Sequence, residues 1–230
     1  MIELAPGLIF HPAYFSRSLQ VELVAAIREI VRAAPLFTPR MPRTGKEFSV
    51  RMTNCGPLGW VSDRVGGYRY QATHPDSGAR WPEIPASLLE LWSEKAMCPD
   101  PPEACLVNFY AAAARMGLHA DSDEREPRAP VVSISLGATC LFRYGGVSRR
   151  DPTKSVRLAS GDVVIIGGAS RLCFHGVDRL FPGTSTLLPN DSRINLTLRR
   201  VNPAGAAAQI FGPPRETPTF AGRKTRSPIV

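Results

Sequence analysis

A histidine and two aspartates alternate with other residues in the segment 117–124, GLHADSDE. In an extended chain, residues two apart project to the same side, so His119 and Asp121 would face one space. A neutral imidazole beside a carboxylate can bind a divalent metal ion. A surface histidine near an aspartate gives the same pattern, because the motif is short and common. The pair is therefore informative only together with a third ligand.

His175 is the candidate for that third ligand. It lies in the apolar segment 171–177, RLCFHGV, which is typical of a strand, whereas His11 and His74 lie outside the strand-rich region. A buried histidine with a purely structural role is the simpler interpretation of such a position. Two histidines and one carboxylate leave half of an octahedron open, as in the non-haem Fe(II) oxygenases. Zinc hydrolases use the same ligand types, so these residues leave the metal open.

The segment 193–199, RINLTLR, alternates strictly between polar and apolar residues. This period of two predicts a strand whose polar face carries Arg193, Asn195, Thr197 and Arg199. Two guanidinium groups on one face can each bind one end of a dicarboxylate through paired hydrogen bonds. An edge strand with surface arginines would show the same alternation, and only the metal triad favours the dicarboxylate site.

Two helices and a run of strands must position these residues. The segments 16–33 and 86–97 have the apolar spacing of amphipathic helices, the first with Leu19, Leu23, Ile27, Ile30 and Val31 on one face. The segment 34–86 is rich in turn residues and predicts hairpins and loops. Strand-like segments then follow one another: CLVNFY, VVSISL, CLFRYGG, SVRLASGDVVIIGG, RLCFHGV and RINLTLRRV. This order predicts an all-β barrel or sandwich with helices packed outside.

Composition limits the class of protein. The chain has 230 residues, 43% of them hydrophobic, and a net charge of +8. These values are typical of a globular domain, and the basic balance favours a polyanionic partner, although many basic proteins bind none. The five cysteines are widely spaced and the N-terminus lacks a signal pattern, so we expect free thiols in the cytoplasm. Residues 203–230, with four basic residues against one acidic, predict a disordered tail.

Several segments together resemble the AlkB family of Fe(II)/2-oxoglutarate dioxygenases, in the family's order across about residues 5–201. The segments are LVNFYAAAARMGLHADSDE, RAPVVSISLG, YGG, GDVVIIGGASRLCFHGV and RINLTLRR, with MTNCGPLGW and GGYRYQ similar to the lid of bacterial DNA-repair members. The resemblance implies an all-β core with flanking helices (α+β), folded as a double-stranded β-helix of the jelly-roll, cupin-like type. It also implies N-terminal helices and a nucleotide-recognition lid (1–104) and the catalytic core (105–202), while the tail (203–230) is predicted from its composition alone.

The resemblance further implies roles for individual residues. The catalytic iron ligands would be His119, Asp121 and His175. The 2-oxoglutarate site would comprise Asn108, Phe109, Tyr110, Arg193, Asn195, Thr197 and Arg199, with Arg193 on the distal carboxylate and Arg199 toward the metal. The substrate contacts would be Trp60, Tyr68, Arg69, Tyr70, Asp123 and Arg149. An aromatic ring can stack on an extruded base, and a carboxylate favours a cationic methylated base.

The implied activity is oxidative demethylation of N-alkylated bases in DNA, above all N1-methyladenine and N3-methylcytosine, with release of formaldehyde. Fe(II) would be the cofactor, with 2-oxoglutarate and O₂ as cosubstrates. The implied partner is single-stranded DNA, with duplex DNA and RNA left open, and we expect a cytoplasmic monomer without a membrane partner. A dioxygenase acting on RNA, protein or a small molecule is an alternative, and so is a non-catalytic β-barrel that binds single strands.

Overall fold

The computed structural model describes residues 1–205; most of the predicted tail, residues 206–230, lies outside this range. The described part contains helices α1 (Arg17–Ala33) and α2 (Ala86–Lys95) and a short 3-10 helix, Gly168–Ser170. Its strands are β1 (Ile2–Ala5), β2 (Leu8–His11), β3 (Arg51–Cys55), β4 (Gly59–Asp63), β5 (Gly67–Gln71), β6 (Ala104–Tyr110), β7 (Met116–His119), β8 (Val131–Gly137), β9 (Thr139–Tyr144), β10 (Lys154–Leu158), β11 (Val163–Ile166), β12 (His175–Phe181) and β13 (Arg193–Arg199).

Two antiparallel sheets face each other in a jelly-roll core. The larger sheet has the strand order β1-β2-β11-β8-β13-β6-β3, and the smaller has the order β10-β9-β12-β7. Apolar side chains from both sheets share one core, including Met52 and Leu106 from the larger sheet and Phe142 and Leu180 from the smaller. The predicted all-β core with flanking helices is thereby confirmed.

The two helices pack against the outer face of the larger sheet. Helix α1 buries four apolar residues in a cluster shared with α2, β8 and β13: Leu23, Val24, Ile27 and Ile30. The helix predicted over 16–33 is confirmed, and Ser16 caps it by accepting the N–H of Leu19. Leu19 itself is 42% exposed, against our expectation, because the buried stripe runs through positions 20, 23, 24, 27 and 30. Helix α2 is also confirmed and ends at Lys95.

Strand β13 lies inside the larger sheet, hydrogen-bonded to β6 on one side and to β8 on the other. All seven of its residues are buried. This position excludes an edge strand with surface arginines. Ile194, Leu196 and Leu198 pack in the cluster shared with the helices. The alternate polar residues consequently point into the space between the sheets.

Residues 1–104 supply both a separate hairpin and part of the main sheet. Strands β4 and β5 form the hairpin, as expected for the segment 34–86. Strand β3, however, pairs with β6, and β2 pairs with β11. The segments 1–104 and 105–202 therefore share one sheet, and the β4–β5 hairpin forms a separate two-stranded sheet whose Trp60 and Val61 pack into the same core.

Several strand boundaries differ from the sequence-based prediction. We expected a strand from residue 171, but β12 begins at His175, because Gly168 adopts a positive φ of 51° and the chain turns through a 3-10 helix. The segment SVRLASGDVVIIGG is split at Gly161, whose φ is 91°, into β10 and β11, which belong to different sheets. Strands β1, β2 and β7 were not predicted; each has only four residues.

No helix within residues 1–205 is long and apolar enough to cross a lipid bilayer. The five cysteines all lie in the described range and are free thiols, as expected from their spacing.

Candidate active site

Strands β7 and β12 bring the two predicted histidine ligands together. His119 and His175 are directly opposed in the antiparallel ladder, and their ring centroids lie 4.6 Å apart. Asp121 follows two residues after the end of β7, and one ligand atom from each of the three residues lies within 4.8 Å of the others. The pairing of β7 with β12 thus assembles the predicted triad from distant parts of the chain.

Backbone carbonyl groups orient both imidazoles. Nδ1 of His119 lies 2.9 Å from the carbonyl oxygen of Gly117, and Nδ1 of His175 lies 3.0 Å from that of Cys173. Because a carbonyl only accepts, each Nδ1 carries a proton, and in the neutral form of each ring Nε2 then keeps its lone pair. Each Nε2 lies 3.7 Å from a carboxylate oxygen of Asp121. The three lone-pair donors therefore converge on one point, as metal ligands do.

The charge states also suit a divalent metal. Burial lowers the pKa of His175 to about 4, despite the opposing charge of Asp121, so this imidazole is neutral near pH 7. Burial alone would raise the pKa of the Asp121 carboxyl, but the neighbouring Arg199 guanidinium group holds that pKa well below its usual value. The neutral His175 imidazole and the Asp121 carboxylate thus lie beside the His119 imidazole, with open positions on the remaining side.

The polar face of β13 lines a cavity of about 390 Å³ beside the triad. Asn108 and Tyr110 of β6 line the same cavity. Arg199 is at the metal end, since its Nη2 lies 3.0 Å from Oδ1 of Asp121. Arg193 is six residues away along the strand, 1% exposed, and donates from Nη2 to the Ser135 hydroxyl at 2.7 Å. The cavity therefore has one cation toward each end.

Buried polar atoms without partners mark where ligands belong. Among the described residues, the buried side-chain atoms that lack a hydrogen-bond partner are Asp121 Oδ2, Arg193 Nε, Arg193 Nη1, Thr197 Oγ1 and Arg199 Nε. All of them belong to residues that line this one cavity. Such groups are costly unless a ligand satisfies them. A metal ion on Asp121 and a dicarboxylate between the arginines fit this set of donors and acceptors.

Four of the predicted substrate contacts meet at the mouth of the cavity. The rings of Trp60 and Tyr68 are stacked, with centroids 5.6 Å apart and planes 22° apart. The indole Nε1 of Trp60 donates to Oδ2 of Asp123 at 2.8 Å. Arg149 also lines the cavity, where Nη1 donates to the carbonyl oxygen of Leu118. An aromatic face, a carboxylate and a guanidinium group are therefore within reach of a flat, polar ligand.

Three other predicted residues lie outside the cavity lining. Phe109 points to the opposite face of β6 from Asn108 and Tyr110, where Arg51 lies 5.2 Å from its ring centroid. Arg69 pairs with Asp63 within the hairpin. Tyr70 donates its hydroxyl proton to Glu124. The side chains of Phe109, Arg69 and Tyr70 are thus not placed to touch a ligand in the cavity, because the alternation of the strands or a local partner directs them elsewhere.

Sequence reasoning missed two charged residues behind the cavity. Glu124 accepts from Arg171 at 3.1 Å and from Arg199 at 2.8 Å, and all three side chains are buried. Glu124 ends the segment GLHADSDE, and Arg171 begins the segment RLCFHGV. A lone arginine in an otherwise apolar segment was the signal that could have identified Arg171.

Known proteins with similar sequences account for this arrangement. Residues 7–199 match the 2OG-Fe(II) oxygenase superfamily. The chain is 51% identical to an alpha-ketoglutarate-dependent dioxygenase AlkB homolog of Caulobacter vibrioides, over 88% of this chain and 91% of that protein. It is 41% identical to the alpha-ketoglutarate-dependent dioxygenase AlkB of Escherichia coli, over 81% and 87% of the two chains. The solved structure of OsALKBH1 superposes with a TM-score of 0.71 at 34% identity, covering 86% of this chain and all of that one.

These matches decide between the alternatives that the residues alone left open. Membership of an iron oxygenase superfamily assigns the triad to Fe(II) rather than to a zinc hydrolase, and it excludes a non-catalytic barrel. The chain belongs to the AlkB family and is an Fe(II)/2-oxoglutarate-dependent dioxygenase.

Proposed function

We propose that this dioxygenase demethylates N-alkylated nucleobases in DNA, with N1-methyladenine and N3-methylcytosine as its main lesions. The observation that carries the proposal is the group at the cavity mouth, where stacked aromatic rings and the Asp123 carboxylate adjoin the metal triad. Proteins with similar sequences are named for nucleic-acid demethylation, including a DNA N(6)-methyladenine demethylase of Arabidopsis thaliana and a tRNA demethylase of Schizosaccharomyces pombe.

Each group at the mouth has a role in holding a damaged base. Trp60 and Tyr68 offer flat faces, and a base that enters the cavity can stack on either ring after the two separate. Asp123 can accept a hydrogen bond from an exocyclic amine, and its charge favours a base that methylation has made cationic. Arg149 can bind the phosphate next to the extruded base. The methylated atom lies on the pairing edge, so a single strand or a flipped nucleotide is required.

The residues inside the cavity have complementary roles. Arg193 and Arg199 would hold the two carboxylates of 2-oxoglutarate, while His119, Asp121 and His175 would hold Fe(II). The iron centre with 2-oxoglutarate and O₂ supplies the oxidant that hydroxylates the N-methyl carbon, and the products are succinate, CO₂ and a hydroxymethyl base that releases formaldehyde.

We also propose that the protein acts as a monomer on single-stranded DNA in the cytoplasm. The free thiols support a reducing compartment, since buried Cys55 and Cys105 stand opposite each other on β3 and β6 without forming a disulfide. The net charge of +8 supports attraction to phosphates.

The test is release of succinate and formaldehyde from a single-stranded oligonucleotide that carries one N1-methyladenine. Asp121→Asn, which keeps the shape of a metal ligand and removes its charge, should lose activity by at least about a hundredfold. Asp178→Asn, at an exposed acid on β12, should keep it. The same lesion in RNA distinguishes the nucleic acids. Succinate formation without formaldehyde from either oligonucleotide would contradict the proposal.

A further inference from the structure

Arg171 is a buried arginine that uses all three of its nitrogens away from the cavity. Its Nε donates to the carbonyl oxygen of Ala129 at 2.6 Å, and its Nη1 donates to that of Asp121 at 2.7 Å. Its Nη2 donates to the Glu124 carboxylate at 3.1 Å. The side chain does not line the cavity. Arg171 thus touches the backbone of one metal ligand without reaching the place where chemistry occurs.

Only a guanidinium group fits this position. The three acceptors all come from the segment between β7 and β8, and each accepts from a different nitrogen of the side chain. A planar group with donors on all three nitrogens satisfies them together. A lysine has one nitrogen at the end of a flexible chain, so it would leave at least one buried carbonyl without a donor. The geometry therefore indicates a positional role in addition to charge balance.

Glu124 connects Arg171 to Arg199, which lines the cavity. One of its oxygens accepts from Arg171, and the other accepts from Nη1 of Arg199 at 2.8 Å and from the hydroxyl of Tyr70. Arg199 in turn directs Nη2 to the carboxylate of Asp121 and leaves Nε unpaired toward the cavity. The buried chain Arg171–Glu124–Arg199–Asp121 alternates in charge and ends at the metal triad.

We propose that Arg171 and Glu124 are positioning residues that orient Arg199 for 2-oxoglutarate. The inference rests on the assignment of Arg199 to that cosubstrate under the proposed function. Two anions and two cations balance in the buried chain. Without Arg171, Glu124 would keep one strong partner, and the attraction would draw Arg199 toward Glu124 and away from the cosubstrate. The metal ligands would keep their own atoms, so binding of the metal should suffer less than binding of 2-oxoglutarate.

Direct titration of 2-oxoglutarate into the Mn(II)-loaded full-length protein tests this inference without turnover. Arg171→Met should raise the Kd for 2-oxoglutarate by about tenfold or more, as expected for the loss of one charge-assisted contact. Its Kd for Mn(II) should change by less than about threefold. In turnover assays the KM for 2-oxoglutarate should rise in parallel, with kcat at saturation nearly unchanged. Arg171→Lys should recover only part of the affinity, whereas full recovery would mean that charge alone matters and would overturn the positional role.

Glu124→Gln provides a second variant with almost unchanged shape. It should raise the Kd for 2-oxoglutarate to a similar extent, and the double variant Arg171→Met, Glu124→Gln should be no weaker than the worse single variant, because both act through Arg199. Arg32→Met, at an exposed position on α1, is the control and should bind normally. If Arg171→Met does not fold, the Glu124→Gln result decides.

Two outcomes separate this inference from the proposed function. If Arg199→Met leaves binding of 2-oxoglutarate intact, the assignment of Arg199 fails, and the inference falls with it. If Arg199→Met abolishes binding while folded Arg171→Met and Glu124→Gln bind within twofold of the unchanged protein, only the positioning role is overturned.

Discussion

Arg193 holds a buried positive charge that has no acidic partner among the described residues. Its one side-chain bond goes to a neutral hydroxyl, and its Nε and Nη1 are unpaired. Keeping a cation in this state costs stability, because desolvation is only partly offset. Arg200, the residue directly after β13, is also buried. It has an acidic partner, since its Nε lies 3.5 Å from a carboxylate oxygen of Glu103. The two arginines therefore differ in what their removal should do.

Arg193→Met should leave the free energy of unfolding of the ligand-free protein unchanged within about 1 kcal/mol, or raise it, because it replaces an unsatisfied charge with an apolar chain of similar length. The variant should also lose the rise in Tm that 2-oxoglutarate gives to the metal-loaded protein. Thermal unfolding with and without the cosubstrate measures both effects.

The matched control for that experiment is Arg200→Met. It should destabilise the protein by about 3 kcal/mol, since it leaves the Glu103 carboxylate buried without its cation. It should keep the rise in Tm with 2-oxoglutarate. Equal destabilisation by the two substitutions would contradict the view that Arg193 is held for a ligand.

The roles of single residues could be predicted from the sequence where those residues belong to a local pattern. Alternation in RINLTLR identified the polar face of β13, and the spacing of His119 and Asp121 identified two ligands. Glu124 and Arg171 escaped prediction because their partners lie far away in the chain; Glu124, for example, accepts from Tyr70, 54 residues earlier. Phe109 was included because it stands between two cavity residues, yet alternate strand residues face opposite sides.

At the scale of elements, the contact between β7 and β12 holds the metal site together. A Cβ added at Gly176 would lie 2.5 Å from the carbonyl oxygen of Met116 and 2.8 Å from that of Gly117. Both neighbours are backbone atoms of β7, which cannot yield without moving the strand. Glycine is therefore required on β12 for the close approach that brings His119 opposite His175.

Gly176→Ala should separate the two strands and weaken metal binding by about tenfold or more, because the ligand atoms must converge closely. Gly117→Ala is the matched control on β7, since a Cβ there meets no atom within 4 Å. Titration of Mn(II) into both variants measures the effect. Similar Kd values for Gly176→Ala and Gly117→Ala would show that the close strand contact does not set the metal site.

Helices and strands could be predicted where their own sequences have a clear hydrophobic periodicity. Helix α1 and strands β6, β8 and β13 have clear periodicity and were found. Strand β7 contains a glycine and only four residues, and β2 depends on pairing with β11, about 150 positions away. Local periodicity cannot register such long-range pairing.

At the scale of the whole molecule, the basic charge extends into the residues beyond 205. That segment contains Arg215, Arg223, Lys224 and Arg226 against Glu216. Removal of residues 206–230 should weaken binding of single-stranded DNA at low salt. The slope of log K against log salt should become shallower by about two, as expected for three net charges.

Fluorescence anisotropy with an unmodified oligonucleotide, across a salt series, measures this slope. At high salt the full-length and shortened proteins should bind alike, and their kcat values should agree at saturating DNA. An unchanged slope would show that the terminal charges do not contact the nucleic acid.

The protein should remove a methyl group from a nucleobase that is bound in this cavity. The most direct test is the mass of a single-stranded N1-methyladenine oligonucleotide after incubation with the protein, Fe(II), 2-oxoglutarate and O₂. We expect conversion to the unmethylated oligonucleotide, with one succinate and one formaldehyde per base repaired. An oligonucleotide that keeps its methyl group, while the folded and iron-loaded protein turns 2-oxoglutarate over, would contradict it.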